Sequence, residues 1–283
     1  MKLTLCNEIF QDFPLEKQFA TAAELGFAAI ELSPFTLAPS VREITAAQRE
    51  QIRALAAATG LEVAGIHWLL AKTEGFHLTH PDPEVRARTV AYLEDLVRFG
   101  VEVGGKIAVV GSPQQRSLLP GVTYAQAWEW FREALIAAAS VEGAEQFTLC
   151  IEPLAPKTNN SFLFNAAEAV RLAREINLPN VGVVIDCYSA VDMEIDLPHT
   201  LQATGPWLRH VHLNDDNGRA PGYGSTDFGP IMGALVARGY EGYASLEVFD
   251  FSIDPVEHAR RGLETVREAL ALEGPAEPRA VAR

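Results

Sequence analysis

Apolar positions along this chain follow two alternating rhythms, a stretch with helical spacing and then, past a glycine or turn, a short continuous apolar run. The phrase recurs in AELGFAAIEL, AAATGLEVAGIHW, EVGGKIAVVGSP and VARGYEGYASLEV, and in REINLPNVGVVID with Asn-Leu-Pro-Asn in place of the glycine. Gly26, Gly60, Gly104 and Gly239 stand where a helix C-cap favours a left-handed residue, which explains them without any appeal to function. The runs predict eight strands, near 2–7, 28–32, 62–67, 106–111, 147–152, 181–186, 208–213 and 243–248, each followed by helical signals. Several helix starts are marked: Asp82-Pro83 places a cap before an N1 proline, Thr45 with Gln48 and Asn165 with Glu168 read as capping boxes, and Leu15, Phe19 and Ala22 share one helical face.

Eight such units in series predict an α/β fold, a single (β/α)8 TIM barrel. An open doubly wound sheet would alternate in the same way, but it calls for a glycine-rich phosphate turn after the first strand, and here that strand runs into NEIFQDF. Residues 1–272 are read as the barrel domain. Beyond Leu272, EGPAEPRAVAR loses its apolar period and gains proline and charge, so 273–283 are read as a mobile tail.

A length of 283 residues suits one barrel, although a length rule alone would suggest two domains. The formal net charge of −14, with no long run of Lys and Arg, argues against nucleic acid or an anionic membrane as partner and favours a small neutral or metal-chelated substrate. Cys6, Cys150 and Cys187 lie in or beside apolar runs without C-x-x-C spacing, so neither a disulfide framework nor a zinc knuckle is indicated. With no signal-peptide pattern in MKLTLCNEIFQDF and no membrane-length apolar stretch, a cytoplasmic protein is expected.

In a barrel of this kind the chemistry gathers where strands end. Those ends offer Asn7 and Glu8, Glu31, His67 and Trp68, Ser112, Glu152, Asp186, His212 and Glu247. Glu152, Asp186, His212 and Glu247 follow one another at gaps of 34, 26 and 35 residues, each gap about the length of one βα unit. Three acids so close would repel unless a cation or protons neutralised them. Three carboxylates and an imidazole suit one divalent ion, Mn²⁺ first, with Mg²⁺, Co²⁺ or Zn²⁺ as alternatives. His210 faces the same side of its strand, but His212 lies nearer the catalytic end and is the chosen ligand.

Other polar residues have plainer readings. Glu31 is read as either a structural ion-pair partner or a site acid. Arg116 in GSPQQR caps its loop or meets a substrate phosphate, the loop reading being preferred. Gly222, Gly224, Ser225 and Thr226 would cradle phosphate if Asp215, Asp216 and Asp227 did not crowd the same loop. Phe10, Trp68 and Phe249 either wall an apolar side of the pocket or pack in the core. His77, His80, His199 and His258 are left unassigned.

The ordered set CNEIF, IHWLL, GSPQQR, IEPLAPKTNNSF, VVIDCY, HVHLNDDNGRAPGYGSTDF and SLEVFDF resembles the xylose isomerase-like barrels. Within them it is similar to the sugar phosphate isomerase/epimerase group, with its ketose 3-epimerases and hydroxypyruvate isomerases. The resemblance implies that Glu152, Asp186, His212 and Glu247 bind Mn²⁺ or a similar ion. It implies too that Glu152 and Glu247 also move protons on opposite faces of the substrate, that His67 lines the sugar pocket and that Arg219 contacts the reacting end. Two positions depart from the pattern: Ser189 stands where a histidine is usual after the strand-six aspartate, and Pro156-Lys157-Thr158-Asn159 carries no second glutamate after strand five.

These readings predict a metal-dependent isomerase or epimerase of a small ketose or related hydroxy-carbonyl sugar, working through a metal-stabilised enediolate. The partner is a small sugar, with no nucleic acid and no membrane, and outer helices of this kind often pair in a homodimer or tetramer. The alternatives are a keto-inositol dehydratase on the same site, a non-catalytic sugar- or partner-binding barrel, and an abasic-site endonuclease, which the charge disfavours.

Overall fold

A computed structural model describes residues 1–194 and 196–272. The 273–283 segment read as a tail lies outside the described residues.

Eight parallel strands close into one barrel in sequence order. They are β1 (Lys2–Cys6), β2 (Ala29–Leu32), β3 (Glu62–Ile66), β4 (Ile107–Val110), β5 (Thr148–Ile151), β6 (Val181–Asp186), β7 (Leu208–Leu213) and β8 (Tyr243–Leu246), each inside or at the edge of its predicted run. The surrounding helices are α1 (Leu15–Leu25), α2 (Ala46–Thr59), α3 (Pro83–Glu102), α4 (Tyr124–Ala139), α5 (Ala166–Ile176), α6 (Cys187–Met193), α7 (Leu197–Ala203), α8 (Phe228–Ala237) and α9 (Pro255–Leu272). Strand six is therefore followed by two short helices rather than one.

Local chemistry sets these boundaries. Gly26 ends α1 at φ 91° and Gly60 ends α2 at φ 72°, left-handed positions where a Cβ would be strained. Thr45 and Gln48 form a full capping box, and Asp82 accepts the Glu84 N–H ahead of Pro83. Asn165 differs from expectation. It caps α5 through the Glu168 N–H, but the Glu168 carboxylate accepts from Phe164 N–H and Tyr124 Oη, so only half of the box forms.

The strand period sorts side chains between two cores. Leu149, Ile151, Val183, Ile185, Val211, Leu213, Ala244 and Leu246 point outward and pack with the helices. Ile107, Val109, Cys150 and Val184 fill the barrel interior. Two steps further along the inward rows of β5 to β8 stand Glu152, Asp186, His212 and Glu247, so the alternation that builds the core also delivers the site. The register shifts between Ile30 and Glu31 and between Val183 and Val184, irregularities of the kind that re-aim side chains beside active sites. Gly65 is required by close approach: a Cβ there would lie 2.1 Å from the Ile107 carbonyl oxygen.

Candidate metal centre

Glu152, Asp186, His212 and Glu247 are all buried, and each offers a ligand atom within 4.8 Å of the others. His212 is paired in register with Asp186 on one side and Ser245 on the other. Its Nδ1 lies 3.0 Å from Glu247 Oε2 and 3.7 Å from Glu152 Oε1. Despite that proximity Nδ1 makes no hydrogen bond of acceptable alignment among the described residues. An imidazole nitrogen with no hydrogen bond of its own beside converging carboxylate oxygens suits a shared cation, so the donor set fits a divalent ion.

The carboxylates differ in environment. Burial and the negative charges of Glu247 and Asp186 push Glu152 up to about 8. Burial and Glu247 raise Asp186 to about 6, against the pull of His212, the Asn214 amide and the Ser189 N–H. Glu247 goes the other way: burial opposes its charge, but His212 and His67 hold it well below the usual carboxylate range. Its Oε1 also accepts the Trp68 indole N–H at 2.6 Å, and Asn214 Nδ2 spans from Asp186 Oδ2 (2.5 Å) to Glu247 Oε2 (3.1 Å).

Below this set lies Glu31, fully buried, with Oε2 accepting from His210 Nε2 at 2.9 Å and Ser245 Oγ at 2.6 Å, while its Oε1 faces His212 Nε2 at 3.4 Å. This settles Glu31 as an ion-pair partner. It also gives His212 the outer carboxylate that metal-binding histidines use to fix their tautomer. His210 is turned to Glu31 and contacts no other acid of the set.

The two substrate-contact candidates make their contacts among protein groups. His67 is fully buried, with Nε2 2.9 Å from Glu8 Oε2 and 2.8 Å from Ser33 Oγ, and Nδ1 3.2 Å from Glu247 Oε1. Burial works against its charge, but Glu8 and Glu247 raise it to about 10. In this arrangement it braces Glu247. Arg219 pairs with Asp250 at 2.7 Å on the loop after β7 and is not among the cavity-lining residues.

Other sites resolve into structure. Arg116 is fully buried and donates to the Val110 carbonyl, which matches the loop reading. The N–H groups of Gly222, Gly224 and Thr226 are taken by Asp215, and that of Ser225 by Asp216, leaving none to cradle phosphate. Phe10 packs in the core, whereas Trp68 and Phe249 line the cavity above Glu152 and Glu247. Ser189 is buried and lines a small neighbouring cavity with Asp186, its Oγ without a partner among the described residues. The three cysteines are free and buried, and no helix among the described residues is long and apolar enough to cross a membrane.

Gly111 adjoins the site, where a Cβ would lie 1.8 Å from Glu152 Oε2. Because the opposing atom ends a side chain that can swing aside, Gly111→Ala is expected to fold and yet bind Mn²⁺ at least about tenfold more weakly. Calorimetric titration of the metal-free protein checks this, and wild-type affinity would show that Glu152 needs no fixed position.

The chain is similar to known proteins along most of its length. A fructoselysine 3-epimerase of Shigella flexneri is 26% identical over 274 residues, covering 92% of this chain and 95% of that protein. A 3-dehydro-D-guloside 4-epimerase of Escherichia coli K12 is 26% identical over 275 residues, covering 94% and 99%. The D-psicose 3-epimerase of Clostridium cellulolyticum H10, solved with D-tagatose, superposes with a TM-score of 0.81 at 19% identity over 95% of this chain and 99% of that one, a likeness of fold. Residues 19–269 match the family described as xylose isomerase-like TIM barrel. The match spans most of the chain and the barrel is closed, and the chain belongs to the xylose isomerase-like TIM barrel family.

Proposed function

We propose that this chain is a divalent-metal-dependent isomerase or epimerase of a small ketose or related hydroxy-carbonyl sugar, acting by proton removal beside the carbonyl. The observation that carries the reading is the convergence within 4.8 Å of three carboxylates and one imidazole, of which Glu152 and Glu247 line a cavity. The 3- and 4-epimerase names of full-length relatives support it. Glu152, Asp186, His212 and Glu247 would hold the ion, Mn²⁺ in first place. When bound, it would stabilise negative charge developing on the substrate oxygens as the C–H bond breaks.

The chain's own groups supply the rest. Glu247, kept ionised and fixed by Trp68, His67 and Asn214, takes the proton from one face of the sugar. Glu152, three strands away around the mouth, is the second carboxylate at the substrate, and it serves the opposite face. Return of a proton to the same carbon from that face gives an epimer, and return to the neighbouring carbon gives the aldose–ketose isomer.

Proton–deuterium exchange at the substrate α-carbon in D₂O, followed by NMR over a panel of ketoses, tests this reading. Exchange is expected with Mn²⁺ and is expected to fall by about a hundredfold or more after chelation. No exchange from any ketose with the ion bound would overturn it, and release of an absorbing enone would reassign the site to dehydration.

Metal-linked stability should depend on pH in a fixed direction. Glu152 and Asp186 have folded-state pKa values raised to about 8 and about 6, so in the metal-free protein their contribution is full below the unfolded carboxylate range and is lost as pH rises through those values. Binding needs both groups deprotonated and so releases protons. The gain in Tm given by saturating Mn²⁺ is therefore expected to grow from pH 5.5 to pH 8. Differential scanning fluorimetry reads the slope, and a gain that shrinks over this window would contradict the ligand assignment.

A further inference from the structure

The cavity over Glu152 and Glu247 has a volume of about 490 Å³. Close-packed, a ketohexose takes roughly 200 Å³, so a free sugar leaves more than half of that space to water. The walls are of two kinds. Ser112, Gln114, Gln115 and Thr158 form a polar side, whereas Trp68, Tyr188, Phe249, Leu154 and Pro113 form an apolar one.

The apolar side is a rigid ladder of rings. Phe35 stacks on Trp68 (centroids 5.5 Å), Trp68 on Phe249 (5.9 Å, interplanar 10°), and Phe249 leans on Tyr188 (5.1 Å). Both ends are capped, by Lys72 4.0 Å over Phe35 and by Lys157 3.7 Å over Tyr188. Phe249 remains 38% exposed, one of few large apolar side chains so exposed among the described residues. Apolar surface kept open at a cavity, and held rigid by stacking, is suited to binding an apolar face. Apart from the Tyr188 hydroxyl, that wall offers the hydroxyl-rich tail of a free ketose nothing to replace the hydrogen bonds it loses to water.

We infer that the substrate is a keto-sugar carrying a ring-sized substituent with an apolar face: the reacting sugar sits over Glu152 and Glu247 with hydroxyls toward the polar side, and the substituent lies against Phe249 and Tyr188. This rests on the proposed epimerase or isomerase reading for the reacting part alone. The substituent's seat is a property of the wall.

The test uses the full chain with Mn²⁺ and two keto-glycosides that differ only in carrying a methyl or a phenyl group. The α-carbon exchange is expected to show kcat/KM at least tenfold higher for the phenyl compound, and Tyr188→Ala is expected to bring the ratio near one while Tyr188→Phe keeps it. A wild-type ratio near one overturns the inference and leaves the reaction class standing. If neither compound exchanges, the reaction class falls, and calorimetry with the unreactive methyl and phenyl β-D-glucopyranosides still decides. Tenfold tighter phenyl binding that Tyr188→Ala removes supports the seat, and equal affinity refutes it.

Discussion

Glu247→Gln and Glu152→Gln are each expected to cut epimerisation by about 10²–10⁴-fold, the usual contribution of a positioned acid or base, while affecting exchange unequally. With one carboxylate serving each face, a variant lacking one of them can still take a proton from the epimer presented to the other. Glu152→Gln should therefore let one epimer exchange its α-hydrogen with solvent without inverting, and Glu247→Gln should do so for the opposite epimer. The glutamine is nearly isosteric; Trp68 Nε1 and Asn214 Nδ2 donate to different oxygens of Glu247, so the amide oxygen keeps one of these bonds and gives up the other. Proton NMR of both epimers in D₂O reads exchange and inversion separately, with metal content measured beside them. If both variants retain inversion with the ion bound, the two-carboxylate assignment is wrong. If both lose all exchange but keep the ion, each proton transfer needs both carboxylates and neither serves one face alone.

The barrel was legible because its signals repeat: an apolar run after helical spacing, eight times over, survives an error of a residue or two at any boundary. The candidate ligands were legible because a polar residue ending an inward row breaks an otherwise apolar pattern. Asn214 could have been found by the same logic, since it continues the row of His210 and His212 past the end of β7. Trp68 could not. Its backbone sits in the left-handed region at φ 51°, which breaks the alternation, so that both His67 and Trp68 reach Glu247 Oε1. For the same reason a strand-end histidine that sequence aims at the sugar instead braces a carboxylate. Arg219 lies on a long loop whose course depends on Asp215 gathering backbone N–H groups, a tertiary arrangement without a period to reveal it.

Loss of Glu31 is expected to damage stability and metal affinity together. Its carboxylate is fully buried, and although burial opposes its charge, His210 and His212 hold it well below the usual range. In Glu31→Ala the His210 Nε2 and Ser245 Oγ lose their buried acceptor and a cavity opens beside Cys6, whose Sγ lies 3.9 Å from Glu31 Oε2. Breaking a buried pair from one side costs about 3–5 kcal/mol, which for a domain of this size lowers Tm by roughly 6–20 °C. Glu31→Gln keeps the volume and one acceptor oxygen, so its Tm should fall less. Both variants free the Nε2 side of His212, and with the ring no longer fixed, Mn²⁺ affinity should drop about 10–100-fold. Thermal unfolding of the metal-free proteins and calorimetric Mn²⁺ titration separate the two roles. If Glu31→Gln binds the ion as tightly as the wild type, Glu31 supports the core without orienting the ligand. If Glu31→Ala melts with the wild type, the buried pair adds nothing to stability, and the carboxylate is held in the barrel for the sake of His212 alone.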